Sequence, residues 1–348
     1  MSTRGLVVLA LLGSLALACA EDPEALIGEE RWQDAIVALD KVITSKPTAR
    51  AYQLRAVAHG NLDQRQQEIA DATEALFLDP KSAAPRAERA TAYEALGRYD
   101  EALADLDEAI RLEPGYAYSY TRRGDLYRQR GRYQDALRDL DVAVSRDPKS
   151  SDAFHNRGNV YFELGDLESA LRDYSEAIRL NPKNALAYGG RGGVYRAADQ
   201  PERALPDLRE AIRLRPDLAH LHKELGTVDV QLGNCAEALK EVNEAIRLQP
   251  RYAQAFNDRG FIYRDMGRYE EALAEFIRAA SLDTLYTSHG DLEIARMHAN
   301  QAATLYLMHR DGESEREAED AIRRGFDPGQ LDDLMAYVRG LPGESACR

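Results

Sequence analysis

Seven histidines, three cysteines and 59 acidic residues are what this 348-residue chain could use for chemistry. The histidines are His59, His155, His220, His222, His289, His298 and His309. No two of them form an HExxH pair, the spacing that sets two imidazoles and a base on one helix face. His220 and His222 are two apart, and residues at that spacing on a helix do not share a face. There is no glycine loop of the phosphate-cradling or dinucleotide kind and no GxSxG elbow. Gly189, Gly190, Gly192 and Gly193 flank Arg191 but fall inside a helical stretch, not after a strand. Cys19, Cys235 and Cys347 are too few for a disulfide scaffold or a four-thiolate zinc module. The expectation is therefore a chain that is not an enzyme, with no catalytic residues, no metal and no cofactor.

The formal net charge of −14 argues against a nucleic-acid partner, which is bound by clustered Lys and Arg that release counterions from phosphates. The first twenty residues read as a secretory signal: Arg4, then an apolar or small run from Gly5 to Leu17, then Ala18-Cys19-Ala20 before Glu21. That run is shorter than the roughly 20 apolar residues of a membrane-spanning helix. Leu15-Ala16-Leu17-Ala18-Cys19 resembles a bacterial lipobox, in which the cysteine becomes the lipidated first residue. Ordinary cleavage after Ala20 is the alternative, giving a soluble periplasmic or secreted protein.

What positions these residues is a repeat. Pro47, Pro80, Pro114, Pro148, Pro182, Pro216 and Pro250 are spaced by 33 residues and then by 34 five times, and Thr284 continues the ruler without the proline. Units begin at Ala49, Ala83, Ala117, Ser151, Ala185, Ala219 and Ala253. Each reads as helix, turn, helix, then a proline that cannot prolong the second helix. Counting from each start, position 8 is Ala56, Ala90, Gly124, Gly158, Gly192, Gly226 or Gly260. Position 20 is alanine in six units and Glu68 in the first; position 27 is alanine in all seven. Small side chains there let two helices cross closely.

This pattern resembles the tetratricopeptide repeat (TPR), a 34-residue helix pair with small residues at positions 8, 20 and 27, an aromatic at 11 and proline at 32. The resemblance implies an all-α, right-handed superhelical solenoid of antiparallel helix pairs. It divides the chain into a signal (1–20), a truncated first repeat (21–48, with Trp32 and Ala35 at positions 17 and 20), seven full repeats (49–286), a degenerate repeat (287–325) and a capping helix and tail (326–348). Leu331, Leu334, Met335 and Val338 give the last helix an apolar stripe that would close the open end of the stack.

Fifteen of the 18 tyrosines fall on recurring repeat positions, so packing accounts for them. Position 7 is Arg55, Arg89, Arg123, Arg157, Arg191, Leu225 or Arg259, and position 23 is Asp71, Asp105, Asp139, Asp173, Asp207, Glu241 or Glu275. We expect an Arg–carboxylate ladder, within or between repeats, because the guanidinium fork suits a bidentate carboxylate. Cys235 replaces the aromatic at position 17 and reads as a small buried group; a disulfide to Cys347 is the alternative outside the cytoplasm. The glycines at 189–193 together with Pro206 mark the repeat from Ala185 as the weakest, because an interior glycine costs about 1 kcal/mol and an interior proline about 3.

The resemblance further implies a groove lined by positions 2, 5, 9, 12 and 13 of the first helices. Its basic members are Arg50, Arg128, Arg196, Lys223 and Arg264; its acidic members are Glu94, Asp125, Asp152, Glu163 and Asp265, so it is expected to be neutral. The candidate partner-binding residues are Tyr118, Thr121, Asp125, Arg128 and Gln129, beside Asp152, His155, Asn159, Phe162 and Glu163, with Phe261 further along. Cys19 is the candidate lipidation site. By resemblance the chain is an adaptor or scaffold of the bacterial cell envelope, similar to envelope TPR lipoproteins, and holds a protein or peptide ligand. A periplasmic chaperone or carrier for unfolded or exported polypeptides is the alternative. No nucleic acid or small-molecule substrate is expected.

Overall fold

A computed structural model of the chain describes residues 22–283 and 290–340. Cys19, Cys347 and the expected signal lie outside the described residues. All regular structure within them is helical. The chain divides into two compact units, residues 1–160 and 161–348.

The first unit contains α1 (Pro23–Gly28), α2 (Trp32–Ser45), α3 (Ala49–Asn61), α4 (Arg65–Leu78), α5 (Ala84–Ala95), α6 (Tyr99–Leu112), α7 (Ala117–Gln129) and α8 (Tyr133–Arg146). The border falls within α9 (Ser151–Glu163). The second unit contains α10 (Leu167–Leu180), α11 (Ala185–Ala197), α12 (Pro201–Leu214), α13 (Ala219–Gln231), α14 (Cys235–Leu248), α15 (Ala253–Asp265), α16 (Tyr269–Asp283), α17 (Gly290–Leu307), α18 (Asp311–Arg323) and α19 (Pro328–Gly340). Within each unit, each helix up to α18 packs on the next in sequence, as in a TPR stack, and α19 packs back on α17.

The turn inside each pair needs one residue in the left-handed region, at position 15. Gly97, Gly131, Gly165, Gly233 and Gly267 meet this need without steric cost, whereas Asp63 and Asp199 adopt it despite a Cβ. Glu30 takes the same conformation ahead of α2. His309, with φ of 58°, is the next in the series and lies 42 residues after Gly267. The last pair, α17–α18, is therefore in register from Ala295, eight residues later than an unbroken 34-residue ruler would put it. In that register positions 8, 20 and 27 are Ala302, Ser314 and Ala321, all buried. Ser314 Oγ donates to the Ala302 carbonyl at 2.8 Å, tying the two helices at their crossing. Leu331, Leu334 and Met335 of α19 then pack with Ala299 and Ala321, covering apolar surface of that pair.

Position 8 is small because position 24 is large. A Cβ on Gly124 would lie 2.7 Å from Leu140 Cγ, on Gly192 2.8 Å from Leu208 Cγ, on Gly226 2.7 Å from Val242 Cγ2 and on Gly260 2.6 Å from Phe276 Cε1. The same reasoning changes the reading of the glycine cluster in α11. A Cβ on Gly189 would meet Leu221 at 2.6 Å, and one on Gly190 would meet the fully buried Tyr174 ring at 2.5 Å. Only Gly193 of the four has open space around it. The helix runs unbroken through the cluster, and α12 continues through Pro206. Gly193→Ala is accordingly expected to stabilise the second unit by up to about 1 kcal/mol. Gly190→Ala is expected to destabilise it by about 1–3 kcal/mol, because Tyr174 must move. Urea midpoints of the two single variants check the opposite signs.

The expected ladder forms, and it joins repeats as well as helices. Arg123 donates through Nε and Nη2 to Asp139 at 2.7 and 2.8 Å, and Arg89 to Asp105 and Arg191 to Asp207 do so with matching distances. Arg259 Nη2 bonds both oxygens of Glu275 at 2.9 Å. The remaining nitrogen, Nη1, reaches back to position 25 of the preceding repeat: Arg123 to Asp107 at 2.7 Å, Arg89 to Thr73 at 3.1 Å and Arg259 to Asn243 at 2.7 Å. Leu225 breaks the series where position 25 of the preceding repeat is Arg209, a cation that would repel another. Glu241 there pairs instead with His222 Nδ1 at 2.7 Å, and the hydrogen bond raises the histidine pKa.

Tyr93, Tyr127, Tyr195 and Tyr263 at position 11 carry the guanidinium of a nearby arginine over their rings, as in Arg132 over Tyr127 at 4.2 Å and Arg98 over Tyr93 at 4.3 Å. Cys235 is buried beside Ala238 and Val242.

Candidate functional site on the first helices of the repeats

Within each unit the first helices of successive repeats touch, and polar side chains bridge them. The bridge runs from position 12 of one repeat to position 6 of the next, 28 residues on. In the first unit Arg122 Nη2 of α7 donates to Glu94 Oε2 of α5 at 2.8 Å. In the second unit the charges are exchanged: Arg196 Nε of α11 donates to Glu224 Oε2 of α13 at 2.8 Å. Gln129 adds a bond to Glu94 at 2.6 Å, and Lys223 an ion pair to Glu224 at 2.8 Å. Burial pushes the Glu224 carboxyl up, but Lys223 and Arg196 outweigh it and hold its pKa below the usual range. Asp258, the position-6 residue of the following repeat, has no such rung, because Val230 faces it in the pattern. Burial raises its pKa to about 6 against the pull of Lys223.

Position 6 was not among the expected lining positions. It adds Arg122 and the carboxylates Glu88, Glu224 and Asp258 to this face. Counted within each unit, these additions leave the first-helix face with one more anion than cation. What could have found it is the reversed pair Glu94/Arg122 and Arg196/Glu224, at one spacing of 28 residues.

The sequence-selected residues fall into two groups. Asp125 accepts from Arg128 Nε at 3.0 Å and from Gln129 at 3.2 Å, which links three of them in one network beside the Arg122–Glu94 rung. Asp152 is exposed, and His155 Nδ1 lies 3.1 Å from Asn156 Oδ1. Burial lowers the His155 pKa, with Asp152 opposing, so the imidazole is neutral near pH 7. Asn159 is half-buried. Thr121 must be withdrawn as a contact residue: it is 3% exposed and its hydroxyl is spent on the Ala117 carbonyl at 3.2 Å. Tyr118 is half-buried, packed on the Ala87–Leu126 core with its ring 6.0 Å from that of Tyr116, so only part of it is available.

Phe162 and Glu163 belong to the second unit. Phe162 packs against Ala170, Tyr174 and Val194, which makes it a core anchor there; Glu163 is exposed. Phe261 is half-buried, with Phe276 edge-on at 5.3 Å and the Arg264 guanidinium 4.8 Å over its ring.

One cluster elsewhere has ligand-type atoms in reach of one another: His298, Glu317 and Asp320, all within 4.8 Å. His298 Nδ1 sits 2.6 Å from Glu317, nineteen residues on, which is the spacing of His222 and Glu241. Asp320 is paired with Arg323. The group reads as one more rung of the structural ladder.

Family models described as tetratricopeptide repeat match residues 87–151, 223–286 and 140–172, and a model described as TPR repeat matches residues 158–197. The chain is built of tetratricopeptide repeats. No curated protein matches it in sequence. Among solved structures it is similar to a tetratricopeptide repeat protein from Parabacteroides merdae, at 21% identity and a TM-score of 0.55, over 75% of this chain and 100% of that one. It is also similar to YrrB, a TPR protein with an unusual peptide-binding site, at 23% identity and a TM-score of 0.40, over 53% and 95% of the two chains. MamA is similar at 24% identity and a TM-score of 0.41, over 48% and 92%. The first of these likenesses supports the fold. The TPR architecture places the ladder of Arg and Asp between the two helices of a repeat, and the charged rungs on the first-helix face.

Proposed function

We propose that this TPR chain is a non-catalytic adaptor that holds a protein or peptide partner on the first-helix face, in the bacterial cell envelope. The observation that carries the reading is the network of Glu94, Arg122, Asp125, Arg128 and Gln129. These groups are bonded to one another along a helix face and not withdrawn into the core. Preformed donors and acceptors of this kind orient a polypeptide at low entropic cost. Asp152 and His155 extend the same face. The export signal and lipobox-like Cys19 support an envelope address with a lipid tether. Among the described residues no helix is long and apolar enough to cross a membrane.

Affinity capture of the full chain from envelope extract tests this. One stoichiometric partner is expected, and Arg128→Ala with Asp125→Ala should weaken its capture roughly tenfold. Unchanged capture by the double variant would sink the site. The mass of the mature N-terminus, read from the same sample, should show a lipidated Cys19; a free Glu21 amine would refute the tether.

A further inference from the structure

The first unit carries an exposed aromatic that packing does not explain. Phe77, in the last turn of α4, is 79% exposed. It stands at position 29, which is arginine or serine in the six other full repeats. Leu78 beside it and Val42 in the last turn of α2 are exposed as well. Because successive helices run antiparallel, the ends of α2 and α4 share one edge of the unit with the starts of α1, α3 and α5. Two contacts fix this edge. Glu24 Oε1 of α1 accepts from Arg50 Nε of α3 at 3.0 Å. Glu113, in the turn after α6, accepts from the Ala83 amide at 3.2 Å and so joins two successive proline turns.

The edge also differs in charge from the one opposite. From the last turn of one helix to the first turn of the next, residues 42–52 and 75–87 carry Lys46, Arg50, Lys81 and Arg86 against Asp79. Lys41 and Glu74, just further in, offset each other, and Asp22 and Glu24 reduce the excess without reversing it. The opposite turns, 25–35, 58–68 and 92–102, hold eight acidic residues and three arginines. Lys46 and Lys81 are exposed and form no ion pair among the described residues. In a chain of net charge −14, free cations therefore gather at the edge that exposes Phe77. Asp22 caps the start of α1 at this same edge, and Cys19 stands three residues before it, a reach of about 10 Å.

We propose that this edge docks on an anionic lipid bilayer, with Phe77 and Leu78 seated at the acyl-chain boundary and Lys46 and Lys81 against lipid phosphates. The proposal rests on the lipid tether of the adaptor reading and adds the orientation of the first unit on the membrane. An acyl anchor holds a protein at the interface more firmly when an apolar group and nearby cations act with it. The orientation also serves the adaptor. Glu94, Arg128 and Gln129 lie in the last turns of α5 and α7, at the opposite edge, and would face away from the bilayer.

The full chain, isolated from membranes with its mature N-terminus, is reconstituted on vesicles of phosphatidylcholine with roughly one-third phosphatidylglycerol. Bromine on the acyl chains quenches any indole that touches them. A tryptophan is placed at either edge, by Phe77→Trp or by Leu96→Trp, which follows α5 at the far edge; both sites are exposed, so neither substitution disturbs the fold. Trp32, the one tryptophan of the chain, begins α2 at the far edge and gives the same background in both. Quenching in Phe77→Trp is expected to exceed that in Leu96→Trp at least about threefold. Adding Lys46→Glu with Lys81→Glu, or removing phosphatidylglycerol, should cut it at least about twofold. Equal quenching at the two edges, with the mass of a lipidated Cys19 in the same sample, overturns the docked edge and leaves the tether standing. Quenching that ignores both the charge reversal and the lipid charge overturns the anionic bilayer as the occupant. A free Glu21 amine overturns tether and docking together.

Discussion

Arg123→Met is expected to cost the first unit about 3 kcal/mol, the order found when one partner of a buried ion pair is removed. Arg123 and Asp139 side chains are 18% and 10% exposed, so water cannot take over the lost bonds cheaply. The substitution removes two bonds to Asp139 and the bond back to Asp107, leaving Asp139 enclosed and unpaired. It also cuts a stitch between repeats, and in a repeat array the interface between neighbours carries much of the stability. Because such arrays do not always unfold in one step, amide exchange is read together with the urea midpoint. Exchange should accelerate in α7 and α8 first. Two comparisons isolate the cause. Arg123→Met with Asp139→Leu should recover most of the loss, since a buried pair can be replaced by apolar groups of similar size. Arg98→Met, which breaks an exposed pair with Glu101, should leave the urea midpoint nearly unchanged. No loss in Arg123→Met would show that the ladder is solvated charge with no structural role.

That ladder was legible in the sequence because both of its columns keep one charge sign through nearly every repeat. The small positions 8, 20 and 27 were legible for a similar reason: close helix crossings admit few side chains, so the constraint repeats with the fold. Position 6 was not legible as a column. Glu88, Arg122, Asn156, Gly190, Glu224 and Asp258 share no chemistry, and their meaning lies in the residue 28 places earlier. Thr121 misled because a hydroxyl counts as polar in a sequence yet can satisfy itself on its own helix and be buried. The glycines of α11 looked like tolerated weakness. Three of the four are required by the reach of Leu221, Tyr174 and Leu208 from other helices, which no local reading of GGRGG could supply. The phase slip before α17 was hidden because the proline that keeps the ruler is lost at Thr284; the left-handed His309 recovers it.

Glu88→Gln is expected to raise stability by about 2 kcal/mol at pH 8 and to leave it nearly unchanged at pH 4. The sign follows from the direction of the shift. The ordinary value of 4.5 applies in the unfolded chain, and enclosure raises it to about 7 in the fold. The folded state therefore holds the proton more tightly, and wild-type stability falls as pH rises from 4.5 to about 7, then stays level. Below that window both states are protonated and glutamine changes little. The full shift would correspond to about 3 kcal/mol, reduced here because Glu88 keeps some access to water. The charged and titratable groups acting on it are Glu68 from α4, Arg122 and Tyr118 from α7, and Tyr116 ahead of α7; burial pushes the Glu68 carboxyl up as well. Melting temperatures of Glu88→Gln and Glu68→Gln across the window separate the two. Both should reduce the loss, Glu88→Gln the more, because burial also raises the Glu68 carboxyl despite Arg65 and the charge of Glu68 adds to the shift of Glu88. A flat wild-type profile would mean that Glu88 is solvated in the fold. If the profile slopes as expected, the wild-type carboxylate lowers stability at neutral pH, because the pull of Arg122 offsets only part of its burial.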